Sequence, residues 1–229
     1  MLFRSFSFHR QNRDYQGLTI IRKSNGKFLR DEFGRLFHIP HLARSNSALP
    51  TYITNGNSPQ GIYAILGTGQ SDNVFIGPST TLQLRMPFET TMTDFDQPQE
   101  QPWQKEVYQQ LLPQSWQDYF PIYGTYYAGM AGRSAIIAHG TTIDPEFYTG
   151  LPFYPNTPSL GCITATELWS EKTGKLIYSD QQSLIRAWES LNAKRGYFIL
   201  IEIDNKQRDV TLNDVLPIIM KSHYLQKSS

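Results

Sequence analysis

The clearest strand signal in the chain is Tyr197-Phe198-Ile199-Leu200-Ile201-Glu202-Ile203, an aromatic and β-branched stretch. An amphipathic helix is predicted before it, over Gln181–Lys194, and Gly196 ends that helix. Shorter strand signals come earlier, at 18–22, 36–39, 61–66, 81–86 and 134–139. This balance predicts a mainly β fold in which the helices are additions to the sheet.

The order of these signals predicts one domain over residues 17–204. Residues 1–16 show no clear pattern, and we expect an N-terminal extension there. Residues 87–121 are rich in Gln, Asp and Pro and predict an inserted cap, with one helix over 103–112. Residues 205–229 predict a C-terminal helical tail.

Composition excludes several functional classes. The 229 residues include 21 Lys and Arg against 20 Asp and Glu, so the net charge of +1 argues against general nucleic-acid binding. No apolar stretch approaches the roughly 18 residues of a membrane span. The first residues also lack the apolar core of a recognisable signal peptide. Cys162 is the one cysteine, which excludes an internal disulfide and a thiolate-rich metal site.

Two short segments combine residues that suit thiol chemistry. His139 and Gly140 close an apolar strand signal, and Cys162 follows Gly161 after a long Pro- and Gly-rich loop. A thiol becomes a nucleophile when a nearby imidazole accepts its proton. A sharp turn at Gly161-Cys162 can also direct backbone N–H groups at a developing oxyanion.

The order of histidine and cysteine narrows the families with this chemistry. Papain-like and NlpC/P60-type peptidases place Cys before His, whereas here His139 comes first. Sortases have the same order, but they carry a Thr-Leu-x-Thr-Cys motif and an Arg on the next strand. In this chain Arg186 falls within a predicted helix.

The segment Ser159-Leu160-Gly161-Cys162-Ile163, together with His139-Gly140, resembles the Ser-His-Gly-Cys and His-Gly motifs of the L,D-transpeptidase (YkuD-type) family. A second family element is similar to Ser58-Pro59-Gln60-Gly61-Ile62-Tyr63-Ala64-Ile65, and the elements occur in the family's order. The resemblance covers roughly residues 17–204. It implies a YkuD-like β-sandwich with helical insertions and a C-terminal helix.

The resemblance implies cysteine-dependent acyl transfer on peptidoglycan stem peptides in the cell envelope or periplasm. Cys162 is then the nucleophile and His139 the base, with the Gly140 carbonyl orienting the imidazole. N–H groups near Gly161 and Cys162 are expected to hold the oxyanion. No metal or organic cofactor is implied, and the oligomeric state stays open.

The substrate-contacting residues are expected at the motif and next to it. Ser159 shapes the pocket or forms a turn, and Arg133 binds a substrate carboxylate or forms a surface salt bridge. Tyr127 lines the cleft or packs in the core. The remaining candidates, Leu160 and Thr164, replace the usual histidine and arginine of the motif.

These departures leave three outcomes open. The enzyme transfers the acyl group to an amine, it hydrolyses such bonds as a carboxypeptidase or amidase, or it is an inert wall-binding homologue with a structural cysteine.

Overall fold

One large sheet organises the chain in the computed structural model, which describes residues 2–97, 101–192 and 195–227 and the side chains up to residue 220. In the order β3-β2-β1-β10-β4-β5-β6-β7, the sheet has eight strands. Their bounds are β1 Phe3–Arg10, β2 Gly17–Arg22, β3 His38–His41, β4 Gly61–Gly69, β5 Thr81–Arg85, β6 Ile137–His139, β7 Ile163–Thr164 and β10 Gly196–Asp204. A small separate sheet pairs β8 Glu167–Trp169 with β9 Leu176–Ser179.

The two edges of the large sheet meet each other. Leu42, the residue after β3, donates its N–H to Thr164 O at 2.8 Å, and Thr164 N–H donates to Leu42 O at 2.9 Å. The sheet is therefore nearly closed, which removes most of the exposed edge that an open sheet would present. β1 pairs with β10 and β6 with β7 in parallel, whereas the other neighbouring strands are antiparallel.

The inner face of the sheet forms the main apolar core. Side chains from all eight strands take part in it, among them Phe3, Ile21, Ile39, Tyr63, Leu82, Ala138, Ile163 and Phe198. Helix α3, Asp180–Glu189, packs into the same cluster through Leu184, Ile185 and Trp188. Its first turn is capped by Ser179, whose Oγ accepts from Gln182 N–H at 2.9 Å.

A second cluster covers the outer face of β2, β1, β10 and β4. It includes Ile62 and Ile199 from the sheet, Phe95 and Tyr108 from the inserted segment, and Ile122 directly after that segment. Helices α1 Lys105–Gln110 and α2 Gly124–Met130 lie in this layer, with short 3-10 turns around them. Helix α4, Leu212–Lys227, adds Val215. The segment 87–121 thus covers the outer face of the sheet.

The mainly β prediction is confirmed, since strand exceeds helix. The predicted extension at 1–16 is wrong, because β1 is a central strand between β2 and β10. Its alternation was obscured because Ser5, Ser7 and His9, although polar, are fully buried on the inner face. The helix predicted over 103–112 spans only Lys105–Gln110, and the strand predicted over 134–139 only its last three residues.

Within the described residues, no helix is long and apolar enough to cross a bilayer. The same part of the chain contains no group of three or more His, Cys, Asp or Glu side chains that could hold a metal ion.

A buried polar chain connects three neighbouring strands. Thr19 Oγ1 donates to Ser7 Oγ at 2.8 Å and lies 2.6 Å from His41 Nδ1, while Ser7 Oγ lies 2.8 Å from His9 Nε2. Both imidazoles are fully buried. Burial lowers the pKa of His41 to about 3. Burial and the nearby charges of Arg13 and His41 place the pKa of His9 well below its ordinary value.

These histidines should make the protein sensitive to acid. The unfolded chain binds their protons below pH 6.5, whereas folded His41 stays neutral down to about pH 3. Stability is therefore lost as pH falls through this window, by about 1.4 kcal/mol per pH unit for each such group. We expect His41→Asn to reduce the slope of unfolding free energy against pH between 6 and roughly 4, measured by urea unfolding.

His38→Asn is the matched control, because His38 is an exposed histidine of the same strand. An unchanged slope in His41→Asn, or an equal reduction in His38→Asn, would contradict the assignment.

Candidate active site

Parallel strands β6 and β7 place His139 and Cys162 on one side of the sheet. Ala138 pairs with Ile163, and both lie in the inner core. Because side chains alternate along a strand, His139 and Cys162 both project away from that core. Cys162 lies just before β7, and His139 pairs with Thr164, so the two residues are offset by two positions along adjacent strands.

The imidazole of His139 is held by the next residue. Its Nδ1 donates to Gly140 O, so in the neutral ring the lone pair is on Nε2. The side chain is only 4% exposed. Burial lowers the pKa of His139, and the hydrogen bond to Gly140 opposes that shift. A neutral imidazole with an accepting Nε2 is the form that can act as a base.

The thiol of Cys162 is half-buried and faces the backbone before β6. Its Sγ lies 3.5 Å from Ala135 O. Burial raises the pKa of Cys162, while the Ile137 N–H and the Arg133 charge lower it. Among the described residues no hydrogen bond joins the thiol to His139. The directions of these two pKa shifts favour a protonated thiol and a neutral imidazole over a preformed ion pair.

Ala135 has a left-handed backbone, with φ of 61°. Glu89 holds this conformation, because its Oε1 accepts from Ala135 N–H at 2.7 Å and its Oε2 from Met86 N–H at 2.7 Å. In this conformation the Ala135 carbonyl faces the thiol of Cys162. Sequence reasoning missed both residues, since neither an alanine with positive φ nor its distant carboxylate partner leaves a signal in the chain.

The turn over residues 159–162, called the thiol turn below, is stabilised by hydrogen bonds between its own residues. Ser159 Oγ accepts from Gly161 N–H at 3.1 Å and donates to Cys162 O at 2.9 Å. Of the two roles expected for Ser159, the structure therefore shows the formation of a turn. Since Gly161 N–H is occupied, an oxyanion donor in this turn is expected from Cys162 N–H.

Arg133 packs against the thiol turn and connects it to the 51–57 loop. Its guanidinium donates to the carbonyls of Thr51, Gly56 and Asn57, and its Nη2 lies 2.4 Å from where a Cβ on Gly161 would stand. The prediction of a surface salt bridge at Arg133 is wrong, whereas its binding of a substrate carboxylate stays a prediction. Arg133 lies outside β6, it is 5% exposed, and all its partners are carbonyl oxygens.

Gly140 is required by a close neighbour. A Cβ there would lie 2.0 Å from Cδ of Glu167, a buried carboxyl whose Oε1 accepts from Ser179 Oγ at 2.6 Å. Burial raises the pKa of Glu167. The carboxyl therefore packs against the same residue whose carbonyl orients His139.

The three remaining candidate residues lie in different environments. Leu160 is 65% exposed beside the thiol turn, where an incoming molecule would meet it. Thr164 is buried, and its Oγ1 donates to Thr157 O at 2.7 Å, so a substrate cannot reach it in this structure. Tyr127 lines a different cleft, together with Phe120, Gln60 and Glu202.

Comparison of the chain with protein-family models, with curated proteins and with solved structures finds no match among any of the three. The chemical interpretation of this site therefore depends on its geometry and on the motif residues.

Gly161→Ala tests the support of the thiol turn by Arg133. Gly161 has φ of 109°, and a methyl group there would also meet Gly56 O at 2.4 Å. We expect a loss of unfolding free energy about 1–3 kcal/mol larger than that of the control, because overpacking adds to backbone strain. The measurement is urea unfolding of both variants.

The matched control is Gly150→Ala. Gly150 has φ of 85° and no atom within 4 Å of its would-be Cβ, so that variant shows backbone strain alone. Equal losses in the two variants would mean that Arg133 does not constrain the turn.

Proposed function

We propose that this protein is a cysteine acyltransferase that acts on peptidoglycan stem peptides through a thioester on Cys162. The observation that carries the proposal is the placement of His139 and Cys162 on one side of adjacent parallel strands, with Nδ1 of the imidazole fixed on Gly140 O. The stem-peptide substrate and the L,D-transpeptidase class rest on the Ser159-Leu160-Gly161-Cys162 and His139-Gly140 motifs.

The YkuD-type sandwich is part of the same proposal. It is supported by the near closure of the sheet at Leu42 and Thr164, which brings two halves of the sheet to face each other across the inner core. The substrate lies in the cell envelope, so the proposal includes that location.

The reaction has two steps. Cys162 Sγ attacks the carbonyl carbon that follows an L-centre, and His139 Nε2 takes the thiol proton. The bond to the leaving D-residue amine then breaks, and that amine takes the proton from the imidazole. In the second step an amine attacks the thioester and transfers a proton to His139, and the sulfur leaves and is reprotonated. When water replaces the amine, the same residues hydrolyse the bond.

Burial has a specific consequence for this mechanism. Because burial raises the pKa of the thiol and lowers that of the imidazole, both shifts disfavour an ion pair in the resting site. The proton must therefore move as the carbonyl is attacked, which makes His139 a general base in the first step.

An inert wall-binding homologue is the second candidate. It is favoured by the 4% exposure of His139 and by its lack of a hydrogen bond to the thiol among the described residues. The variants below decide between the two.

Cys162→Ala should abolish release of the D-residue from stem peptides while the fold is kept, since the thiol is half-buried and makes one weak contact. His139→Ala should reduce the rate by roughly 10²–10⁴, the usual contribution of a general base. The measurement is mass spectrometry of muropeptides incubated with purified protein.

His38→Ala controls for loss of a histidine, because His38 is exposed and lies on β3. Turnover that survives in Cys162→Ala would disprove the nucleophile assignment. Wild-type protein without turnover, and without a covalent thioester on Cys162, would favour the inert homologue.

Leu160→His tests what decides between transfer and hydrolysis. Leucine cannot form the hydrogen bond that a histidine in the family motif can donate, and such a bond typically contributes about 1–3 kcal/mol. Because Leu160 is exposed beside the thiol turn, we expect the variant to change the ratio of hydrolysed to crosslinked products without raising total turnover. A D-amino acid serves as competing acceptor. A large gain in total turnover would show instead that Leu160 is a defect.

A further inference from the structure

A cleft outside the candidate active site is lined in part by Thr51, whose carbonyl accepts a hydrogen bond from Arg133. It has a volume of about 380 Å³, within the range of small-ligand sites, and its lining includes Thr51, Tyr52, Gln60, Phe120, Tyr127 and Glu202. The proposed reaction does not use it.

Gln60 belongs to the cleft lining and has a side-chain hydrogen-bond donor that is unused among the described residues. The residue is 4% exposed, and its Nε2 is buried without a partner. Its orientation is fixed, because Oε1 accepts from Glu202 N–H and its backbone O accepts from Thr125 N–H at 2.9 Å. Buried donors in folded proteins are nearly always paired, so an unpaired amide that lines a cleft indicates a missing acceptor.

Glu202 supplies an acceptor next to this donor. Its Oε1 is occupied by Arg13 Nη2 at 2.7 Å, and no described donor reaches Oε2. The side chain is 21% exposed. The lining therefore contains one residue with an unused donor and one with an unused acceptor, and a hydroxyl group can pair with both because it donates and accepts.

Aromatic rings form the other part of the lining. Phe120 is 65% exposed and its ring centroid lies 5.5 Å from that of Tyr127, while Tyr52 is 63% exposed. An aromatic face is weakly negative and attracts polarised C–H groups. The C–H face of a pyranose ring is such a surface.

Charge argues against an anionic ligand. The lining holds one carboxylate and no Lys or Arg. Arg13 is paired with Glu202, so the lining offers no free cation to bind the carboxylate of a peptide, and a neutral sugar needs none.

We propose that this cleft binds a neutral pyranose of an oligosaccharide, with the ring on Phe120 and Tyr127 and its hydroxyls on Gln60 Nε2 and Glu202. The site goes beyond the proposed acyl transfer and does not require the thiol. Arg133 connects the cleft to the thiol turn, since it donates to Thr51 O in the cleft wall and packs against Gly161.

The test is ligand-observed NMR titration with three probes: an N-acetylglucosamine trisaccharide, cellotriose, and the tripeptide L-Ala-γ-D-Glu-L-Lys. We expect saturable binding of at least one trisaccharide, and the two sugar arms distinguish an acetamido sugar from a plain glucan. Phe120→Ser should weaken binding about tenfold or more, because it removes the stacking surface. Cys162→Ala should bind like the wild type, which separates this site from the proposed reaction.

Phe147→Ser is the matched control, because Phe147 is 82% exposed and lies outside the cleft lining. Tyr52→Ser is a second variant at an exposed position of the cleft. Failure of both sugars to bind, binding of the tripeptide alone, or equal weakening by Phe147→Ser would each overturn the proposal.

Discussion

The pair of backbone hydrogen bonds between Leu42 and Thr164 is the contact on which the rest of the structure depends. β7 has only two residues, and a strand of that length is not stable on one partner alone. Its neighbours hold it from both sides, β6 through the parallel register and the residue after β3 through the closing bonds. The thiol is attached directly to this strand, so closure of the sheet also fixes the position of Cys162.

The support of the thiol turn is built from main-chain groups more than from charges. Arg133 binds three carbonyls of the 51–57 loop, and Glu89 binds the backbone N–H groups of Met86 and Ala135. Neither side chain forms an ion pair among the described residues. Charged groups that bind backbone dipoles hold irregular loops in one conformation, and here those loops lie on either side of the nucleophile candidate.

The sequence predicted those elements whose apolar pattern is local. β2, β4, β5, α3 and β10 appear close to their predicted places, because each buries a regular apolar face. β1 was missed because its inner face consists of buried Ser and His, and β8 and β9 because they are short. The motif predicted which residues form the turn, but the roles of Arg133 and Glu89 depend on contacts across 46 to 82 positions in the chain.

The parallel pairing of β1 with β10 affects when the protein can fold during synthesis. Phe3 pairs with Gly196, and Arg10 with Asp204, so the centre of the sheet joins segments roughly 190 residues apart. A ribosome must therefore make almost the whole chain before β1 finds its partner, and contacts of such separation slow folding. β2 can pair with one edge of β1 early, but until β10 is made the other edge of β1 stays unpaired, and a chaperone that recognises strand edges has a long interval in which to bind it.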